Sequence, residues 1–205
     1  MDQNIKQAIV KGETSLGIEF GSTRIKAVLI EYNFEIIGSS SYEWENQLID
    51  GYWTYQLNEI IKGLQETYHQ LKQEVEKNYG VTLQKIGSIG CSAMMQGYIA
   101  LDQAGELLVP FPTWRHATTG TAASELTEKF QFKIPERWSI AHLYQAILND
   151  EEHVANIDYM TTLSGYIHCL LTGSRALGMG DASGMFPIDG SAQQYNENMI
   201  KQFDG

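Results

Sequence analysis

Two stretches of this 205-residue chain carry side chains that could handle a phosphoryl group. Near the beginning, Gly21-Ser22-Thr23 interrupts two apolar runs, Leu16 to Phe20 and Ile25 to Ile30, with Glu19 just before the turn and Lys26 just after it. A tight turn of this composition points backbone N–H groups and hydroxyls into one small concavity, which suits phosphate oxygens. Most Gly-Ser-Thr turns only connect strands, so the reading depends on what else can face this one. Near the end, Asp181 stands in a glycine-flanked loop, GDASG. The two glycines allow close backbone approach and leave the acid exposed in a cleft, although a loop or cap aspartate is the commoner fate of such a residue. Between them, Ser92 to Gly97 (SAMMQG) ends in the hydrogen-bonding Gln96, and Trp114-Arg115-His116 couples an aromatic face to two donors. That combination suits a sugar's apolar face and hydroxyls; a surface Trp packed under a proline loop accounts for it equally well.

Other chemistries are excluded. No GxxxxGK[ST] is present, and Gly178-Met179-Gly180-Asp181-Ala182-Ser183-Gly184 misses GxGxxG by one place and follows an apolar helix rather than opening one. The five histidines show no paired metal-ligand spacing, and no GxSxG elbow occurs. Cys91 and Cys169, each in apolar sequence, read as reduced, buried thiols rather than a disulfide. A net charge of −11 without a Lys/Arg cluster argues against a nucleic-acid groove. Met1 to Thr14 lacks an apolar signal core and no run is long enough to span a bilayer, so the expected location is the cytoplasm, with no membrane partner.

The elements that must position these residues follow from periodicity. Leu16, Ile18 and Phe20 alternate with Gly17 and Glu19 as a half-buried strand does. Ile25 to Ile30 and Glu35 to Tyr42 complete a three-strand meander. Asn46 to Trp53 reads as a loop. Leu57, Ile60, Ile61, Leu64, Tyr68, Leu71 and Val75 recur at threes and fours, a helix closed by Gly80. Lys85 to Cys91, Tyr98 to Leu101, Leu107 to Val109 and Ala176-Leu177 read as strands. Ala122 to Phe130, Ala141 to Leu148 (with Ser139 as N-cap), Tyr159 to Leu171 and Gln194 to Phe203 read as helices. Strands followed by a helix, a strand and more helices predict an α/β fold, a mixed sheet with flanking helices. Residues 1–14 are expected to form an N-terminal arm and 15–205 one domain.

The order of these pieces resembles the N-terminal domain of the FGGY carbohydrate kinases, the xylulokinases, ribulokinases and glycerol kinases. GIEFGSTRIKA is similar to the family's opening phosphate motif, SAMMQGYIALD to its sugar-contacting strand–loop–strand, and TWRHATT to the Trp-led loop beside it. DYMTTLSGYIHCLLTG and GDASGMFPID resemble the helix before the catalytic loop and that loop itself. The resemblance implies a ribonuclease H-like (actin-like ATPase) fold and phosphorylation of a sugar or polyol hydroxyl by ATP with Mg²⁺, with a ketopentose such as xylulose or ribulose favoured. It assigns Asp181 as general base, and Gly21, Ser22, Thr23 and Lys26 to the transferred phosphoryl group. Gln96, Trp114, Arg115 and His116 become sugar contacts, and Glu19 and Asp181 hold Mg²⁺ through water.

Three departures accompany it. Glu19 replaces the usual Asp. Met94, Met95 and Gln96 match neither the xylulokinase nor the glycerol kinase pattern. Members also carry a second, ATP-binding domain, so the chain is expected to be a truncated N-terminal part that would not turn over alone. An actin-like ATPase switch and a stand-alone sugar-binding module are the alternatives, and a homodimer is left open.

Overall fold

The computed structural model describes residues 2–191 and 193–205, with Asp2 described by its backbone alone. In chain order the elements are α1 (Asp2–Lys11), β1 (Thr14–Phe20), β2 (Arg24–Glu31), β3 (Ile36–Glu43), β4 (Gln47–Ile49), β5 (Tyr52–Thr54) and α2 (Leu57–Tyr79). There follow β6 (Ser88–Ala93), β7 (Ile99–Leu101), α3 (Gly120–Phe130), α4 (Ser139–Leu148), β8 (Tyr159–Thr161) and α5 (Leu163–Thr172). Then come α6 (Met179–Ala182), β9 (Ile188–Asp189), β10 (Gln194–Tyr195) and α7 (Glu197–Asp204). They fall into two compact units, Met1–Asn46 with Tyr55–Met94, and Gln47–Thr54 with Met95–Gly205.

The first unit is built on a four-stranded mixed sheet in the order β3-β2-β1-β6. β1, β2 and β3 form the antiparallel meander, and β6 joins β1 in parallel after the α2 crossover. Alternation in β1 puts Leu16, Ile18 and Phe20 on the buried face, opposite the outward Gly17 and Glu19. α2 covers this sheet with a stripe at helical spacing, Ile60, Gly63, Thr67, Leu71 and Val75. It ends where Gly80 adopts a left-handed conformation and donates its N–H to Glu76 O at 2.8 Å. The outer edge of β6 pairs with no further strand among the described residues, and Ile89 on it is 52% exposed.

The second unit is dominated by helices. α3 and α4 close over Leu126, Phe130, Ile134, Ile140, Ala141 and Phe186, with Met199 and Phe203 of α7 against the same cluster. β7 and β8 form an antiparallel pair, and β4 and β5 a short hairpin.

Several sequence expectations are corrected. The polar arm contains a helix, because Ile5, Ala8 and Ile9 fall on one face and are buried; Met1 lies outside the described residues. The loop at Asn46–Trp53 is the β4–β5 hairpin, turned at Asp50-Gly51 with positive φ at both. The helix expected from Tyr159 starts at Leu163, because Tyr159–Thr161 pairs with β7. Ala176-Leu177 is not a strand, and Leu107 makes only an isolated bridge to Leu101. Gln194-Tyr195 is a strand, so the last helix starts at Glu197. Ser139 is the first residue of α4, after an N-cap at Trp138, and its hydroxyl bonds Gly97 O instead. The two cysteines are free but only half-buried.

Gly63 is where α2 comes closest to the sheet: a Cβ there would collide with Ile25 Cδ1 and lie 2.9 Å from Tyr42 Cδ1. Gly63→Val is expected to destabilise the protein by about 1–3 kcal/mol through overpacking. Gly90→Val, where a Cβ meets nothing within 4 Å, should stay within about 0.5 kcal/mol; urea unfolding midpoints measure both.

Candidate active site

The hydroxyl-rich bend is the hairpin turn of β1 and β2. Gly21 N–H donates to Arg24 O at 2.9 Å, which leaves Ser22 and Thr23 as the exposed tip. The bend is held from behind by two buried aromatic residues. Trp44 donates its indole N–H to Gly21 O at 2.7 Å and its backbone N–H to Thr23 O at 3.1 Å. Tyr55 donates its hydroxyl to Ser22 O at 2.7 Å and stacks on Trp44 with ring centroids 4.3 Å apart. Three consecutive carbonyls are thereby engaged, while the Ser22 and Thr23 hydroxyls stay at the exposed tip. A Cβ at Gly21 would approach Arg24 O to 3.1 Å, a tight contact that glycine avoids.

Glu19 and Lys26 face each other directly in the β1–β2 register, with Lys26 Nζ 3.4 Å from Glu19 Oε2. Both are about half exposed, so this ion pair adds little stability and leaves both charges accessible beside the bend. Sequence reasoning found the bend but not Trp44 and Tyr55, whose roles depend on β3 and α2 bringing them back to it.

In the second unit, Asp181 sits in the one-turn helix α6 rather than in an open loop, and it is half-buried rather than exposed. Its Oδ2 accepts hydrogen bonds from Thr162 Oγ1 and, at 2.5 Å, from Ser164 Oγ. Thr162 is also the N-cap of α5, accepting from Gly165 N–H. Gly165 makes the approach possible: a Cβ there would run into Thr161 Oγ1 and Leu177 Cδ2. Leu177 immediately precedes the Gly178 that caps α6, so its packing on Gly165 seats the acid against the start of α5. The signal for this was present in TTLSG, a Thr and a Ser at the N-cap and second helical positions followed by Gly, but it was hidden inside an apolar stretch.

Gln96 has φ 74° and packs its Cγ 3.4 Å from where a Cβ on Gly184 would lie, so the structure brings it to the Asp181 turn. Gly97 beside it, at φ 102°, accepts at its O from Ser139 Oγ at 2.6 Å, which fixes this corner. Trp114 is 43% exposed and carries the Arg115 guanidinium 5.3 Å from its ring centroid. It lines a cavity of about 520 Å³ with Lys133, Glu136 and Arg137, which neither Asp181 nor Gln96 lines. His116 lines that cavity too, and its ring stacks on Tyr52 at 4.7 Å. Thus Gln96 and Asp181 are neighbours, and Trp114, Arg115 and His116 form a second group. No cluster of three or more His, Cys, Asp or Glu side chains suited to a metal occurs among the described residues. No helix among them is long and apolar enough to cross a membrane.

A three-strand antiparallel meander with a parallel fourth strand and flanking helices is a mixed α/β arrangement. The sequence profile of the FGGY family of carbohydrate kinases, N-terminal domain, matches residues 14–204, and the chain belongs to that family. Among solved structures, a xyloylose kinase from Brucella ovis is similar at 22% identity and a TM-score of 0.78, over 92% of this chain and 41% of that one. Xylulose kinase from Rhodospirillum rubrum is similar at 18% identity and a TM-score of 0.80, over 94% of this chain and 41% of that one. Plasmodium falciparum glycerol kinase with ADP is similar at 18% identity and a TM-score of 0.78, over 93% of this chain and 40% of that one. The chain thus spans about two-fifths of the length of each. Comparison with curated protein sequences gives no match.

Two outcomes are expected. Tyr55→Phe removes only the hydroxyl that holds Ser22 O, and should cost about 1 kcal/mol in chemical denaturation. Burial, reinforced by neighbouring His116, lowers the pKa of His142 from 6.5 to about 4. Unfolding therefore takes up a proton between those values, and stability falls as pH drops from about 6.5 towards 4. The loss approaches about 3 kcal/mol at the acid end. His142 faces His116 and Tyr98, with His153 and Glu151 lining the same cavity. His142→Phe should flatten that part of the pH–stability profile, as denaturation at pH 7, 5.5 and 4 would show.

Proposed function

We propose that this chain is the sugar-binding part of an ATP-dependent carbohydrate kinase of the cytoplasm, with a ketopentose such as xylulose or ribulose as the favoured substrate. The observation that carries the proposal is the seating of Asp181. A sugar hydroxyl is a weak nucleophile, and a carboxylate within hydrogen-bond reach orients it and accepts its proton as the bond to phosphorus forms. Thr162 and Ser164 hold Oδ2, so the carboxylate is oriented before substrate arrives and Oδ1 remains to receive the hydroxyl.

Gln96, beside the Asp181 turn, and Trp114, Arg115 and His116 supply contacts to the sugar's hydroxyls and apolar face. Gly21, Ser22 and Thr23 receive the phosphoryl oxygens on a bend whose carbonyls are already engaged, and Lys26 offsets their charge. Mg²⁺ keeps most of its water and binds through one or two carboxylates plus phosphate oxygens. The half-exposed Glu19 carboxylate, one oxygen of which is on Lys26, fits that role. When bound, the ion would neutralise charge on the phosphates.

The test is ADP release by the product of the complete reading frame, offered xylulose, ribulose, glycerol and gluconate. Asp181→Asn should lower kcat by about 10²–10⁴-fold with sugar binding retained. Ser164→Ala, which leaves the Thr162 bond in place, should lower kcat about tenfold with KM little changed. Undiminished turnover in Asp181→Asn would remove the aspartate from this role.

A further inference from the structure

One cavity of the second unit shares only His116 with the residues given a role above. It measures about 290 Å³, at the small end of ligand pockets, and Tyr52, Tyr98, His116, His142, His153 and Glu151 are among its walls. Four of these rings lie nearly parallel. Tyr52 stacks on His116 at 4.7 Å and 27°, His116 on His142 at 6.4 Å and 20°, and His142 on Tyr98 at 6.2 Å and 23°. The Tyr98 hydroxyl lies 2.9 Å from His153 Nε2, and His153 Nδ1 lies 3.4 Å from Glu151 Oε2, so these three groups satisfy one another. His142 is left out. It is 6% exposed, and its buried Nε2 meets no hydrogen-bond partner among the described residues. A buried nitrogen in that state costs about 1–3 kcal/mol, and a native fold retains such a group where something else satisfies it.

We infer that this cavity is a second small-molecule site, taking an uncharged polyhydroxylated ligand of monosaccharide size with one hydroxyl on His142 Nε2. The lining argues for that class. Among the described residues no Lys or Arg lines the cavity while Asp50 and Glu151 do, which disfavours phosphate or carboxylate ligands. An ammonium ligand would need a free carboxylate at depth. Glu151 is instead engaged by His153, and Asp50 is exposed at the rim. Ring faces accept the C–H face of a sugar, and a hydroxyl can serve an imidazole nitrogen as donor or acceptor. Asp181, Gln96 and Trp114 are not in the lining. A ligand here is therefore held without reacting, and the inference does not rest on the phosphoryl-transfer reading.

The experiment is NMR of the 205-residue chain labelled at histidine, titrated with glycerol, xylitol and glucose as neutral probes. 1,4-Diaminobutane and inorganic phosphate serve as charged comparators. At least one neutral probe should shift the His142 and His116 ring signals saturably while the charged compounds do not. His142→Phe and, independently, Tyr52→Ala should weaken that response at least tenfold, and Asp181→Asn should leave it unchanged. Tyr52 lies on the β4–β5 hairpin, so Tyr52→Ala decides the matter if His142→Phe does not fold. The inference is overturned if no neutral probe gives a saturable shift, or if the diamine or phosphate gives an equal one. It is equally overturned if the response survives both His142→Phe and Tyr52→Ala, which would place the sugar outside this cavity.

Discussion

The pairing of β1 on both its edges is the constraint from which the first unit follows. Its antiparallel register with β2 places Glu19 opposite Lys26 and forces the chain to reverse at Ser22-Thr23. Its parallel register with β6 carries the chain on until Met94 N–H reaches Phe20 O at 3.1 Å. Because side chains alternate, a slip of one residue would turn Leu16, Ile18 and Phe20 outward, so burial of these three fixes the register and, with it, the position of the bend. Trp44 and Tyr55 then add a second restraint, on the carbonyls of the bend itself. Two independent restraints on so short a segment hold its backbone in one conformation.

The second unit reaches comparable order by a different means. Where the first relies on a continuous ladder, the second relies on missing side chains: Gly165 admits Leu177, and the short α6 follows from that contact. Thr162 serves the helix it caps and the acid it faces at once, so the start of α5 and the position of Asp181 are coupled. The Gln96–Gly97 corner is fixed similarly, by backbone at positive φ and by the Ser139 hydroxyl. The family match places the whole arrangement among the FGGY carbohydrate kinases, and the geometry adds how the aspartate is held.

Much of this was legible in the sequence, and what was missed has identifiable causes. Alternation from Leu16 to Phe20 and the threes and fours from Leu57 to Val75 are long, unambiguous patterns, and both elements form as read. Tyr159-Met160-Thr161 is too short and too apolar for periodicity to separate strand from helix, and only its pairing with β7 decides. The β4–β5 hairpin has three residues per strand, below the length at which alternation is a signal. The first helix went unread because Ile5, Ala8 and Ile9 are a thin stripe in polar sequence, and its stability comes from tertiary burial. Asp181 was singled out in sequence as a candidate acid. The two hydroxyls that hold it, and the indole and phenol that hold the bend, are partners in space whose spacing along the chain carries no pattern.

The outer side of β6 has a physical consequence of its own. A strand with one edge unpaired among the described residues, next to a half-exposed Ile89, is a template on which another extended segment can be laid down. Neither proline nor lysine occurs in Ser88–Ala93 to discourage such an addition. Colloidal repulsion from the chain's eleven excess negative charges opposes it, and that opposition weakens as salt rises.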